Sequence, residues 1–307
     1  MTESAARASS VVTDSATHPA FGFTDVLLFT MAVIWGINFV VVKYATHIFN
    51  PVAFTGLRVG TAAVFLVLVA LAGRGKIALP RRDVISLLLL GVVGNGLYQL
   101  FFVHGVARTR AGNAALIVAA APAFIALVAR ARGMERVKRM TFVGIALSFL
   151  GVGLVIVGSA SSSNGQPTLL GSVLVFLGVI CWTFYTIGLQ PFTKRIDVIQ
   201  LSAVTMVGGA VPLLIASTPA LMRTDWSAIG KGGWLALLYS SVISMGVAYF
   251  FWYRGLRVLG PTRSAVYTNL QPIVALLVAW AFLNETPTIF QGVGAATIIA
   301  GVFLTRA

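Results

Sequence analysis

The chain has 307 residues, 58% hydrophobic and 10% charged, with a net charge of +14. A soluble domain carries about 45–50% apolar and about 25% charged residues. A membrane span needs about 20 mostly apolar residues, so this length holds about ten spans and no separate soluble catalytic domain.

Residues 1–23 are polar and rich in Ser and Thr, with Glu3, Arg7 and Asp14 among them. They lack an apolar core behind a basic start, so they do not read as a cleaved signal peptide. Their composition predicts a disordered tail. Ten spans are then expected, at 24–45, 51–72, 84–107, 112–132, 139–158, 169–191, 199–221, 232–256, 262–283 and 287–305. Backbone groups in lipid must be satisfied internally, which makes these segments helices. A barrel needs shorter, alternating strands, and these runs do not alternate. Cys181 is the single cysteine, which excludes a disulfide framework and a cysteine zinc site. His18, His47 and His104 are too scattered for a metal cluster, and no cofactor is expected.

The basic residues sort by side. The tail, the C-terminus and the loops after even-numbered spans hold 16 Lys and Arg. The opposite loops and adjoining helix ends hold five: Lys43, Arg108, Arg110, Arg223 and Lys231. This asymmetry predicts cytoplasmic N- and C-termini. It also accounts for the net charge without a nucleic-acid partner, since no basic domain stands apart from the spans.

The sequence repeats itself. Shifted by 150, residues 91–154 match 241–304 at 17 of 64 positions without a gap. Matches among Ala, Val and Leu mean little in this composition. The informative ones are Gly96/Gly246, Gly105/Gly255, Pro122/Pro272, Glu135/Glu285, Gly144/Gly294 and Gly151/Gly301. A shift of 147 aligns Trp35 with Trp182 and Phe29 with Phe176. The Ser- and Gly-containing stretch at 159–165 reads as a linker. The expected organisation is a tail (1–23), a five-helix repeat (24–158), a linker (159–168) and a second five-helix repeat (169–307). Five is odd, so the second repeat crosses in the opposite sense. The expected fold class is an all-α membrane protein of ten transmembrane helices in two inverted repeats. Such repeats suit alternating access to a site near the midplane, although channels contain them too.

Several segments resemble a known family: Trp35-Gly-Ile-Asn-Phe-Val-Val-Val-Lys43, Gly56-Leu-Arg58, Ala111-Gly-Asn-Ala-Ala115 through Pro122, and Gly260-Pro-Thr through Gln271-Pro272 to Asn284-Glu285. Together they resemble the EamA-type exporters of the drug/metabolite transporter superfamily, over about residues 24–305, and within them the aromatic amino acid exporter branch. The resemblance implies export of amino acids or other small metabolites across the bacterial inner membrane.

Depth and helical phase select candidate binding residues. Trp35, Asn95, Tyr98, Trp182 and the stretch Ser244 to Tyr249 fall near mid-span, whereas interfacial aromatics belong at the ends. Asn95, Tyr98, Gln99 and Phe102 recur on one helical face, as do Trp35, Asn38 and Phe39. So do Trp182, Tyr185 and Thr186, and Ser241, Met245, Tyr249 and Trp252. Such stripes suit a cavity in which rings pack an amphipathic substrate and amides hold its polar ends. The plainer alternative is helix packing with interhelical hydrogen bonds. The expected substrate-binding set is Trp35, Asn38, Asn95, Tyr98, Gln99, Trp182, Tyr185 and Tyr249. Pro122 and Pro272 remove backbone donors in mid-helix and are expected hinges.

Charge in the spans is sparse. Asp25, Glu135, Asp197 and Glu285 all fall at span ends, and no carboxylate lies at a centre. That favours gradient-driven movement over proton coupling. Arg58 sits seven residues past Pro51, so about 10 Å along the helix. Its readings are a substrate carboxylate, a pair with Glu285, or snorkelling to the interface.

The expected function is a secondary transporter, not an enzyme, because the paired carboxylates or Ser/His sets of intramembrane hydrolysis are missing from the spans. The alternatives are an efflux carrier for another class of metabolite or drug, and a small-solute channel. A channel calls for a continuous polar pore, and this midplane is aromatic. The expected partners are a small-molecule substrate and the lipid bilayer. The oligomeric state is left open, a monomer being compatible with all of this.

Overall fold

A computed structural model describes residues 22–74, 79–133, 139–160 and 168–304. The expected tail and linker lie outside these residues except at their edges, as does Glu135. All regular structure among the described residues is helical.

Ten helical stretches follow one another: α1 (Phe23–Ile48), α2 (Pro51–Arg74), α3 (Arg81–Arg108), α4 (Ala111–Ala131) and α5 (Arg139–Ala160). After the linker come α6 (Thr168–Thr193), α7 (Val198–Met222), α8 (Lys231–Val258), α9 (261–283) and α10 (Ile289–Leu304). Eight of them, α1–α4 and α6–α9, are long and apolar enough to cross a membrane. The apolar parts of α5 and α10 are shorter, Phe142–Gly158 and Ile289–Gly301. Large apolar side chains stay exposed, among them Leu68, Ile215 and Phe282. A helix that is apolar inside and outside alike belongs in lipid. The chain is an all-helical membrane protein with eight candidate spans.

The repeat is written into the backbone irregularities. In α3 the helix loosens to a wider π turn over Val92–Leu97, and in α8 over Tyr239–Val247. A shift of 150 places 92–97 on 242–247. Likewise α4 is interrupted by a turn at Ala119 and Ala120, and α9 by a tight 3₁₀ stretch, Val266–Leu270. Pro122 and Pro272 each lie in the first turn of the helix that resumes there, Ala121–Ala131 and Gln271–Leu283. The sequence led us to expect kinks within continuous helices. Instead both helices restart at the prolines, where a missing N–H leaves no intrahelical bond unmade.

Packing follows the same correspondence. The pairs α2–α7 and α5–α10 join repeat equivalents, and the contact of α1 with α8 is matched by that of α6 with α3. The α5–α10 contact explains four repeated glycines. A Cβ at Gly151 would lie 2.9 Å from the Gly294 carbonyl oxygen, and one at Gly301 would lie 2.5 Å from that of Gly144. Without a hydrophobic drive between helices in lipid, close backbone approach through small residues supplies the dispersion contacts.

Helix ends gather in charged groups. Asp25, at the start of α1, accepts a hydrogen bond from the Tyr267 hydroxyl of α9, with Arg263 at 3.9 Å. Lys43, near the end of α1, donates to the carbonyls of Ala107 (3.1 Å) and Thr109 (2.9 Å) at the end of α3. Glu285, just past α9, lies 3.9 Å from Arg110 and accepts from the Ala111 amide at 3.3 Å. Asp83 of α3 holds both guanidinium nitrogens of Arg195 in the α6–α7 loop. The carboxylate keeps the Arg195 guanidinium above its ordinary pKa. In the α7–α8 loop, the Ser227 hydroxyl and amide hold the Asp225 carboxyl below its ordinary value.

Candidate functional site

The centre of the bundle is a cluster of rings contributed by α1, α3, α6 and α8. Trp35 and Trp182, equivalents in the two halves, have ring centroids 5.8 Å apart in an edge-to-face arrangement. Tyr98 lies 5.1 Å from Trp182, Tyr249 5.8 Å from Trp35, and Trp252 5.7 Å from both tryptophans. Gln99 Nε2 donates to the Tyr249 hydroxyl at 3.2 Å, and these residues are equivalents under the shift of 150. Two pairs of repeat equivalents therefore meet at the same place, where the two halves join.

Polar groups fix the rings. The Trp35 indole N–H donates to the Ser244 carbonyl at 3.0 Å. Ser244 lies in the π turn of α8, where the regular helical pattern is relaxed and a carbonyl can turn outward. Asn38 Oδ1 accepts from the Ser240 hydroxyl at 2.9 Å. Here an irregular backbone is a means of placing an aromatic wall.

Beside this cluster is a narrow cavity of about 40 Å³, well below the about 300–1,000 Å³ typical of small-molecule sites, so a substrate enters only as the lining side chains move apart. Six of the eight expected binding residues line it: Trp35, Asn38, Tyr98, Gln99, Trp182 and Tyr249. Phe39, Phe102, Ser244 and Met245 join them, and Val118, Ala121, Thr268 and Gln271 complete a wall at the breaks in α4 and α9. Pro122 and Pro272 adjoin Ala121 and Gln271 in sequence, so the helix restarts form part of the enclosure. Gln99 is buried, and its Oε1 has no hydrogen-bond partner.

Asn95 and Tyr185 are not among the lining residues. Both are buried and sit in a separate polar cluster behind Trp182, whose ring is 5.4 Å from that of Tyr185. The Tyr185 hydroxyl accepts from Asn95 Nδ2 at 3.2 Å and meets the hydroxyls of Thr205 (3.2 Å) and Tyr253. Phase alone placed these residues on the cavity stripe. Their depth in the α3–α6–α7 contact turns them toward α7 instead. Ser241 follows the packing alternative, donating to its own helix at the Leu237 carbonyl (2.7 Å).

Arg58 is the residue whose setting the sequence placed least well. It lines the cavity, is only 1% exposed, and its Nε and Nη1 have no hydrogen-bond partner. The rings of Phe54 and Phe102 lie 5.9 and 5.8 Å from its guanidinium carbon. It does not snorkel, and Glu285 pairs with Arg110. Residue counting gives its distance along the helix, about 10 Å from Pro51, and nothing of its burial. What buries it is lateral packing, which residue counting does not reveal. Val118 and Ala121 at the α4 break, and Thr268 and Gln271 at the α9 break, were the other lining residues missed. The repeat offset marks them, because the two pairs are equivalents.

A helical membrane protein with a central cavity between two like halves has the form of a small-solute transporter. Comparison with known proteins gives the family. The sequence profile of the EamA-like transporter family matches residues 22–157 and again 169–307, and the chain belongs to that family. It is 29% identical over 280 residues to the uncharacterized transporter YyaM of Bacillus subtilis, covering 90% of this chain and 91% of that protein. It is 27% identical over 290 residues to the uncharacterized inner membrane transporter YedA of Escherichia coli K12, covering 93% and 90%. A solved crystal structure superposes with a TM-score of 0.67 at 17% identity, covering 92% of this chain and 97% of that one, a likeness of fold. Two matches of one family profile agree with the internal repeat, and the relatives are named as transporters.

Proposed function

We propose that this transporter is an inner-membrane carrier of ten spans that exports small amphipathic metabolites, aromatic or other amphipathic amino acids among them, by alternating access. The observation that carries the reading is the aromatic cavity at the junction of the halves, with Trp35 and Trp182 in contact. Rings pack an apolar body, while the amides of Asn38, Gln99 and Gln271 serve polar ends. The helix ends support an inverted arrangement. α1 and α9 begin together at Asp25 and Tyr267, and the ends of α1, α3 and α9 gather at Lys43, Arg110 and Glu285. With α9 parallel to α3, its short-loop neighbour α8 runs against α3, its repeat equivalent. Inverted halves with the site between them suit rocking of one half against the other. The basic asymmetry assigns both termini to the cytoplasm.

Counterflow in proteoliposomes tests this. Vesicles preloaded with unlabelled L-phenylalanine should take up labelled L-phenylalanine faster than empty vesicles do, and a panel of other amino acids should compete by the size of their apolar body. Uptake indifferent to solute on the far side would identify a channel and sink the carrier reading.

A further inference from the structure

We propose that Arg58 is the carboxylate anchor of this cavity, so that the transported solutes are carboxylates and not amines, esters or neutral compounds. The inference rests on the cavity being the substrate site, as proposed above.

The argument begins with the cost of the charge. A guanidinium does not lose its proton in proteins. Removing it from water costs several kcal/mol unless an anion and hydrogen-bond acceptors replace the solvent. Arg58 is almost fully enclosed, yet Nε and Nη1 find no acceptor in the protein. Two phenyl rings, from Phe54 and Phe102, flank it at close to 6 Å. At that distance the cation–π attraction is too weak to offset the burial of the charge. Among the described residues lining the cavity, none is acidic and Arg58 is the sole cation. The site is thus built with one unneutralised positive charge and open N–H donors.

Shape narrows the partner further. The guanidinium presents its donors in a planar fork that matches the two oxygens of a carboxylate. An anion bound there restores neutrality to a low-dielectric cavity, whereas an ammonium would double its charge. The rings of Trp35, Tyr98 and Trp182 then face the apolar body of the bound acid. Gln99 Oε1, itself buried and unpartnered, offers an acceptor for a second polar group such as an α-amine. Both a zwitterionic amino acid and a simple monocarboxylate share the feature that Arg58 reads.

Binding measured by radioligand displacement on purified full-length protein in nanodiscs separates the possibilities. The probes are L-phenylalanine and phenylacetate, which carry a carboxylate, and phenethylamine and L-phenylalanine methyl ester, which do not. The wild type should bind the better carboxylate at least about tenfold more tightly than either amine, and Arg58→Gln should abolish that preference. Arg58→Lys keeps the charge without the fork and should retain the preference at weaker affinity, so a Gln variant that fails to fold leaves the test standing. The ratio of phenylacetate to phenylalanine affinity tells whether a monoanion or a zwitterion is favoured, and either result supports the anchor. Equal binding of acids and amines by the wild type, or a preference unchanged in Arg58→Gln, overturns the inference while leaving the cavity a substrate site. If no probe binds at all, the cavity reading falls, and this inference with it.

Discussion

Trp182 and Tyr185 are three residues apart on α6, yet one lines the cavity and the other lies behind it, and that difference has measurable consequences. Trp182→Ala removes the ring that touches Trp35, Tyr98 and Trp252 and faces the cavity. A bound substrate would lose one aromatic wall. Aromatic pairing contributes about 0.5–1.5 kcal/mol beyond the area it buries, so we expect a loss of about 1.4–2.8 kcal/mol, or about ten- to a hundredfold in Kd. Tyr185→Phe keeps the ring and deletes a hydroxyl shared by Asn95, Thr205 and Tyr253. Interhelical hydrogen bonds in membranes average about 0.6 kcal/mol each. Three of them make stability fall by about 2 kcal/mol while Kd stays within about threefold. Scintillation-proximity binding of labelled L-phenylalanine reads the first quantity and thermal unfolding in nanodiscs the second. If Trp182→Ala bound normally, or Tyr185→Phe weakened binding as much, the division between cavity wall and supporting cluster would be wrong.

Other consequences follow from the same geometry. Gly151→Ala should destabilise the α5–α10 contact by about 1–3 kcal/mol, because its Cβ meets Ile298 and the Gly294 carbonyl. Gly153→Ala, with nothing within 4 Å of the added atom, should be neutral or gain up to about 1 kcal/mol from helix propensity; equal thermal shifts for the two would refute the packing. In a Cys181→Ser background, single cysteines at residues 10 and 306 should react with an impermeant maleimide only from the cytoplasmic side, and one at residue 163 only from the outside. Labelling of residue 163 from the cytoplasm would dismantle the proposed inverted topology. Proteoliposomes holding equal L-phenylalanine on both sides should accumulate none when a pH gradient is imposed, since the described cavity lining has no carboxylate or histidine. Uphill accumulation abolished by a protonophore would point to His104 or Glu285 as a coupling group.

The membrane class and the repeat were legible in the sequence for different physical reasons. Apolar runs show directly, because lipid leaves helices nearly free of charge. The repeat showed only through residues that composition does not supply by chance, such as Pro122/Pro272 and Gly151/Gly301. The structure gives those residues their reasons, at the restarts of α4 and α9 and in the α5–α10 contact. Depth and phase put Trp35, Tyr98 and Trp182 on faces that turn to one centre, and their rings meet there beside the cavity. Asn95 and Tyr185 share those stripes yet lie outside the cavity lining, since a helical face wide enough to hold a stripe meets two neighbours and the sequence does not say which. Thr268 and Gln271 were missed because the 3₁₀ stretch rotates the face that follows it, so a 3.6-residue period no longer predicts direction.

Contact between repeat equivalents at the centre also bears on how the proposed carrier works. If the halves rock about their junction, residues far from it move most and residues on it move least. The charged groups at the helix ends are the far ones: Asp25 with Tyr267 and Arg263 at one end, Lys43, Arg110 and Glu285 at the other. Asp25 is buried, and Lys43, Arg110 and Glu285 are half-buried, so opening either end returns these charged groups to water in exchange for their contacts. Trp35 and Trp182, by contrast, lie at the junction and would move least. The cation of Arg58 belongs to α2, which packs on its equivalent α7. A carboxylate held there while its ring packs against Trp35 and Trp182 would touch both halves at once. Binding energy of that kind would be independent of which end is open.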